Sequence, residues 1–369
     1  MRIPLSGPDI TEADIQSVVD VLRTPRLSIG PQMEAFEAAV ANYTGVPHGV
    51  ALSSGTAGLH LGLAALGIGE GDEVILPSFT FIAVAHAVLY RRARPVFADI
   101  DPITLNLTPE TVAAAITPRT RAIIAVHTFG CPADVDPILQ IAARHGIKVI
   151  EDACEALGAD YRGRKAGGIG DLGVFGFYPN KPITTGEGGM VVTRDAALAD
   201  TMRALRNQGR RPDDGWLDHA LLGYNYRLSE INCALGLSQM QRLDSILARR
   251  EDRAACYRRH LRDIPELTLP VFETGNGRVC WFVFVVRLAH RDRIVAYMAA
   301  RGIGCARYFA PVHRQPLYAA YADPAQPLPI TDRVAAQTLA LPFFNRITDD
   351  QIAEVCATLR EAIAAAAHT

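Results

Sequence analysis

Between residues 48 and 193, short apolar runs alternate with helical stretches, and this alternation limits the fold more than any other feature of the chain. Residues 49–52, 73–76, 95–98, 122–126 and 148–151 are of strand length and mostly apolar. Helical spacing fills the stretches between them, including residues 56–66, 82–90 and 136–145. Strands that are apolar on both faces and joined by helices build a mostly parallel sheet buried between helical layers. Residues 172–177 and 190–193 add two strands, close enough in sequence to pair antiparallel. The predicted class is α/β.

Two helices precede this region. Residues 11–22 place Ile15, Val18, Val19 and Leu22 on one face, and Thr11 with Asp14 three residues on resembles a capping start. Residues 31–43 read as the second helix. After the sheet region a long helix is expected over 229–250 and on toward 262, long enough to bridge two domains. Residues 280–288 then turn rich in Val and Phe, as in a small antiparallel sheet, with helices at 290–300 and 349–366. A chain of 369 residues is comfortable for two cores. The division is placed near residue 240, giving a large domain 1–240 and a small C-terminal α+β domain 241–369.

The 37 basic and 39 acidic side chains nearly balance, and no run of one sign marks a nucleic-acid or anionic-membrane surface. The start lacks the basic, apolar and small-residue pattern of a signal peptide, and no apolar run is long enough to span a bilayer. Seven cysteines lie scattered with no Cys-x-x-Cys pair, so neither a disulfide framework nor a metal site is expected, and a reducing cytoplasm fits.

Three places carry chemistry. Lys181 follows the aromatic run Phe175-Gly176-Phe177-Tyr178-Pro179-Asn180 and precedes a loop containing Gly186, Gly188 and Gly189. Burial there would favour the neutral amine and Schiff-base chemistry, whereas a lysine taken alone is usually solvated. Asp152 closes the strand 148–151, where α/β sheets bind ligands; it would pair with a ring nitrogen or simply cap the next helix. Ser54-Gly55-Thr56 opens a helix directly after a strand, which suits a phosphate cradle and equally an ordinary N-cap. Neither the Walker spacing nor the Gly-x-Gly-x-x-Gly spacing is present.

The order of these features, with Gly71-Asp72-Glu73-Val74-Ile75, Pro77-Ser78-Phe79-Thr80-Phe81, Val126-His127-Thr128-Phe129-Gly130, Glu151-Asp152-Ala153-Cys154, Thr185-Gly186-Glu187-Gly188-Gly189, Gly223-Tyr224-Asn225-Tyr226-Arg227 and Pro311-Val312-His313, resembles the DegT/DnrJ/StrS-type sugar aminotransferases over nearly the whole chain. The resemblance implies a fold-type-I transferase dependent on pyridoxal 5'-phosphate, with a mostly parallel, mixed seven-stranded sheet between helices. It implies that Lys181 holds the cofactor as a Schiff base and moves the proton during transfer, and that Asp152 pairs with the pyridine nitrogen. Phe81 would stack on the ring, Gly55 and Thr56 would bind the phosphate, and Asn225 would reach the phosphate of a neighbouring subunit in a homodimer with shared sites. Arg227, Tyr308 and His313 would face the substrate, a keto-sugar nucleotide aminated at the expense of an amino acid such as glutamate. A 4-keto-6-deoxy sugar is the first expectation.

Two positions depart from the family pattern. Gly176 stands where many members carry a serine that touches the phosphate, so a hydrogen-bond donor is lost. Glu155 stands where many carry His or Gln near the cofactor's phenolic oxygen, and a carboxylate there requires a shared proton. Alternatives are amino transfer to a cyclitol or another ketone, and a regulatory protein that retained the fold. Sugar dehydratases of this type replace the lysine with histidine, which Lys181 opposes.

Overall fold

The computed structural model describes residues 2–211 and 218–367. The strands are β1 (His48–Leu52), β2 (Glu73–Pro77), β3 (Arg94–Ala98), β4 (Thr120–Val126), β5 (Lys148–Asp152), β6 (Asp160–Tyr161), β7 (Arg164–Lys165), β8 (Leu172–Gly176), β9 (Gly189–Thr193), β10 (Glu273–Thr274), β11 (Gly277–Arg278), β12 (Phe284–Arg287) and β13 (Thr338–Leu341). Seven of them form the main sheet in the order β1-β9-β8-β5-β4-β2-β3. The pairs β2–β3, β2–β4, β4–β5 and β5–β8 are parallel; β9 runs antiparallel to both β8 and β1. The expected pairing of 172–177 with 190–193 is therefore present, with Leu172 opposite Thr193 and Gly176 opposite Gly189.

Helices cover both faces because the strands are apolar on both. Val50, Leu52, Val74, Leu76, Ile124 and Val174 pack against the helices Gly55–Ala65 and Ala83–Tyr90. Ile75, Ile123 and Val149 face Val135–His145 on the other side. The first of these helices lies very close to the sheet: a Cβ at Gly58 would stand 2.7 Å from Val174 Cγ1, so only glycine allows that approach.

The C-terminal part gathers on β12 and β13, which pair antiparallel, and on the helices Leu243–Leu261, Arg291–Ala300 and Asp349–Ala367. Its cluster includes Tyr257, Phe284, Leu341, Ile352 and Leu359, and it takes in Ile3 from the start of the chain. Within the stretch 280–288 only Phe284–Arg287 is strand.

Two expectations are corrected. The long helix from 229 is two helices, Glu230–Met240 and Leu243–Leu261, separated at Gln241 and Arg242. Arg242 turns its side chain to Asp9 and Asp14, at 3.1 and 2.9 Å, so the break carries the guanidinium that ties down the N-terminal segment. The first helix, Glu12–Leu22, has the expected Thr11–Asp14 capping box, but its apolar face is not buried. Ile15 and Leu22 are 47% and 55% exposed, while Asp14 and Val21 point inward.

Candidate active site

In a parallel sheet every strand delivers its carboxyl end to the same edge, and ligands bind outside that edge. A cavity of about 490 Å³ lies there. β1 leads into Ser54, Gly55 and Thr56; β2 leads to Thr80 and Phe81; β5 ends in Asp152 and continues to Cys154 and Glu155; β8 leads to Phe177, Tyr178, Asn180 and Lys181. All of these line the cavity, together with Phe282, Tyr308 and Phe309 from the C-terminal part.

At one end the helix Gly55–Ala65 begins. Its cap, Ser54, accepts the Ala57 N–H at 3.0 Å. The N–H groups of Gly55 and Thr56 remain without a protein acceptor among the described residues and face the cavity with the Thr56 hydroxyl. Free N–H groups at the positive end of a helix suit a phosphate. The turn is tightly packed: a Cβ at Gly55 would meet Cys154 Sγ at 2.8 Å, and one at Gly189 would meet the Ser54 carbonyl oxygen at 2.3 Å. A Cβ at Gly176 would lie 3.4 Å from the same sulfur, so Cys154 borders the space beside the missing serine. Burial raises the Cys154 thiol well above the usual range, which keeps its proton in place.

Asp152 is buried, and its Oδ1 accepts the Cys154 N–H at 3.0 Å. Behind it, two of the sequence motifs meet. Glu151, fully buried, accepts N–H groups from Gly167, Ile169 and Gly170 at 2.9, 2.7 and 2.7 Å and lies 2.9 Å from His127 Nε2. His127 Nδ1 accepts the Ala133 N–H at 3.0 Å, so Nε2 carries the proton and donates to Glu151. Burial works against that carboxylate, but the His127 and backbone donors outweigh it and hold the group below the usual carboxylate range.

Lys181 is held by a loop that closes on Phe177: the Phe177 N–H donates to the Gly188 carbonyl at 2.9 Å, and its carbonyl accepts the Thr185 N–H at 3.0 Å. Of the loop glycines only Gly186 needs the left-handed region, at φ 81. Gly188 and Gly189 are required by close approach to Thr185 and Ser54 instead of by the cavity. The Lys181 ammonium lies 3.7 Å from Glu155 Oε1 and 3.8 Å from the centre of the Phe282 ring. Burial pushes the Glu155 carboxyl up, opposed by Lys181 and by the Phe129 N–H and reinforced by Asp152. Burial and the nearby Glu155 also raise Tyr308.

Gly55, Thr56, Phe81, Asp152, Glu155, Lys181 and Tyr308 thus share one cavity; Phe81 stands at its rim, 60% exposed. Asn225, Arg227 and His313 do not line it within this chain. Asn225 bridges to Asn207, and Arg227 Nη1 donates to Asn207 Oδ1 and Gln208 Oε1, each at 3.0 Å. Residues 212–217 of the neighbouring loop lie outside the described residues. His313 is buried beside the carboxyl end of β2, 2.7 Å from Ser78 Oγ and 3.3 Å from Asp332. It lines a wider cleft of about 860 Å³ that runs along β3 from Arg94 to Phe97, whose Arg119 and Arg314 are paired with Glu73 and Asp332. Sequence reasoning missed Phe282, which lies in a stretch that reads only as apolar strand. It also passed over Asn180, although the lysine motif contains it.

Among the described residues no helix is long and apolar enough to cross a membrane, and no group of three or more His, Cys, Asp or Glu is placed to hold a metal ion. The profile of the DegT/DnrJ/EryC1/StrS aminotransferase family matches residues 8–360. The chain is 41% identical over 368 residues to GDP-perosamine synthase of Caulobacter vibrioides, covering 98% of each. It is also 41% identical over 339 residues to UDP-N-acetyl-3-dehydro-alpha-D-glucosamine 3-aminotransferase of Acidithiobacillus ferrooxidans, covering 91% of this chain and 89% of that one. The PLP form of Spr1654 from Streptococcus pneumoniae superimposes with a TM-score of 0.93 at 27% identity over 99% of both chains. The seven-stranded sheet, the cavity at its carboxyl edge and these similarities lead to one conclusion: the chain belongs to the DegT/DnrJ/EryC1/StrS aminotransferase family.

Proposed function

We propose that this aminotransferase uses pyridoxal 5'-phosphate to move an amino group from an amino acid, glutamate by analogy, to the ketone of a nucleotide-linked sugar. The observation that carries the reading is the meeting in one cavity of Lys181, Asp152 and the free N–H groups of Gly55 and Thr56. The residues fit the cofactor: the positive end of a helix for a phosphate, a buried carboxylate for a ring nitrogen, and an amine in the same cavity. When bound, the cofactor supplies an electron sink for the carbon that gains or loses the amino group.

Gly55 and Thr56 would bind the phosphate, and Asp152 would keep the ring nitrogen protonated. Phe81 would cover the ring from the rim, Lys181 would carry the proton to and from the reacting carbon, and Glu155 would share a proton with the ring's phenolic oxygen. Tyr308 orients the sugar. The same reading assigns residues 1–240 to the cofactor domain and 241–369 to the small domain, in keeping with the separate C-terminal cluster. It places Asn225 in the site of a second copy and Arg227 near the anionic groups of the substrate at the interface. Four exposed apolar side chains within residues 15–29, Ile15, Leu22, Leu27 and Ile29, support a homodimer.

A 4-keto-6-deoxy sugar is the first substrate of this reading, and the similarity to GDP-perosamine synthase supports a GDP-linked one. Equal identity to a 3-aminotransferase supports a second reading, amination at C3. The test is the absorbance of the purified protein: the cofactor band bleaches with glutamate and returns with the right acceptor. A GDP-linked 4-keto-6-deoxyhexose and UDP-N-acetyl-3-dehydro-alpha-D-glucosamine are compared as acceptors. A colourless protein that takes up no pyridoxal phosphate overturns the proposal.

A further inference from the structure

A lysine that bonds to the cofactor in one half of a transamination cycle is free in the other half. While free it needs a place that keeps it within reach, and before it reacts again as an amine it must lose a proton. The Lys181 ammonium lies between the Glu155 carboxylate, 3.7 Å from Oε1, and the face of Phe282, 3.8 Å from the ring centre. Both distances suit a cation, one to an opposite charge and one to a ring quadrupole.

The two walls are fixed independently of the lysine. Glu155 Oε2 accepts the Phe129 N–H at 2.9 Å, which leaves Oε1 toward Lys181. Phe129 takes the left-handed conformation at φ 54, and Gly130 follows at φ 83. A Cβ at Gly130 would overlap the Cys280 carbonyl oxygen at 1.6 Å, and the Cys280 N–H donates to the Gly130 carbonyl at 2.9 Å. The turn that orients Glu155 is thus joined to the segment that carries Phe282. Arg250, buried, donates to the Trp281, Phe282 and Asn345 oxygens at 2.5, 2.7 and 2.7 Å and fixes that segment from behind.

We propose that Glu155 and Phe282 form a resting place for the Lys181 side chain when it is not bonded to the cofactor, and that Glu155 Oε1 receives the proton Lys181 releases. One N–H bond of the ammonium breaks, its electron pair stays on nitrogen, and one O–H bond forms on Glu155, so the charge of the pair is unchanged. The proposal rests on the reading of Lys181 as the cofactor lysine. Asp152 and Cys154 from the end of β5, and Tyr308 from the C-terminal part, are the other titratable groups acting on Glu155 and its surroundings. Burial and the Asp152 charge favour the protonated carboxyl, consistent with an acceptor at this position. Phe282 acts as a positioning residue, since it touches the lysine.

The chain contains three lysines, Lys148, Lys165 and Lys181, so the amine can be followed directly. The full-length protein, as purified and after addition of glutamate, is treated with cyanate across pH 6.5–10, and carbamylation of each lysine is measured by mass spectrometry. In Glu155→Gln the midpoint of the Lys181 profile is expected to move down by about one pH unit, with labelling at pH 8 rising about tenfold. In Phe282→Leu the rise is roughly threefold, and Phe282→Trp stays near wild type. Lys148 and Lys165 serve as references and keep their profiles. An unmoved Lys181 midpoint in Glu155→Gln, or faster labelling by the same factor at every pH, overturns the proposal. Glu155→Gln removes no packing volume, so the test survives a poorly folded Phe282 variant. If pyridoxal phosphate neither colours the protein nor shields Lys181, the enzymatic reading fails, while the comparison of profiles still decides whether Glu155 and Phe282 hold the Lys181 ammonium.

Discussion

Arg250 donates its Nη2 to the main-chain carbonyl of Phe282 at 2.7 Å, and through this bond a buried cation of the helix Leu243–Leu261 fixes the ring against which Lys181 lies. Two more acceptors, the Trp281 carbonyl and Asn345 Oδ1, complete its partners. Burial pulls the guanidinium down to about 10, still charged at neutral pH. Arg250→Met leaves these acceptors unpaired and is expected to cost about 3 kcal/mol or more. Lysine should recover little, because an ammonium cannot span the same fork. Urea unfolding of the three proteins measures this, and a Met variant within 1 kcal/mol of wild type would contradict it.

His60 gives a pH dependence of known sign. It is buried among Tyr90, Tyr224 and Tyr226, with ring centres 5.5, 4.8 and 5.9 Å away. Burial, then the charge of Arg91, brings it down from 6.5 to about 4. Between these values the unfolded chain binds more protons, so the contribution is fully present above about pH 6.5 and is lost as pH falls toward 4. The loss is on the order of 2–3 kcal/mol. His60→Phe should therefore be far less destabilised by moving from pH 7 to 4.5 than wild type. A gap between the two proteins that is identical at both pH values would refute the assignment.

The contact between Gly55 and Cys154 predicts non-additive mutations. Gly55→Ala puts a methyl 2.8 Å from the sulfur and is expected to cost about 1–3 kcal/mol, with weaker cofactor uptake. Cys154→Ala removes the sulfur, so the double variant should regain at least about 0.5 kcal/mol relative to the sum. Strict additivity in a double-mutant cycle would mean that the crowding arises elsewhere.

Asp152→Asn keeps the size and the acceptor for the Cys154 N–H but removes the charge. Single-turnover amino transfer should slow by roughly a hundredfold to a thousandfold, with the protein still folded and still able to take up the cofactor. Lys181→Ala should lose the covalently bound cofactor altogether, seen as loss of the band that borohydride otherwise fixes. An Asp152→Asn enzyme with wild-type rates would remove the ring-nitrogen role.

Strand-length apolar runs, their alternation with helices, and the antiparallel β8–β9 pair were legible because they depend on neighbours in sequence. The first helix shows where that locality stops. Its period and capping box are correct, yet Ile15 and Leu22 face outward, because periodicity finds an apolar face and says nothing of what covers it. The break at Gln241 was hidden for a related reason: Arg242 answers acids at positions 9 and 14, more than 200 residues away.

By itself the sequence determined the sheet and the meeting of Gly55, Phe81, Asp152 and Lys181. Residues that directly follow strands of a parallel sheet arrive at one edge whatever the loops do. Only the tertiary structure decided what surrounds Lys181. Glu155 is oriented by Phe129 and Phe282 by Arg250, contacts between segments distant in sequence, and no local spacing encodes them. It also decided that Asn225, Arg227 and His313 stay outside the cavity of their own chain, since a backbone bridge to Asn207 and side-chain partners Gln208 and Ser78 hold them there.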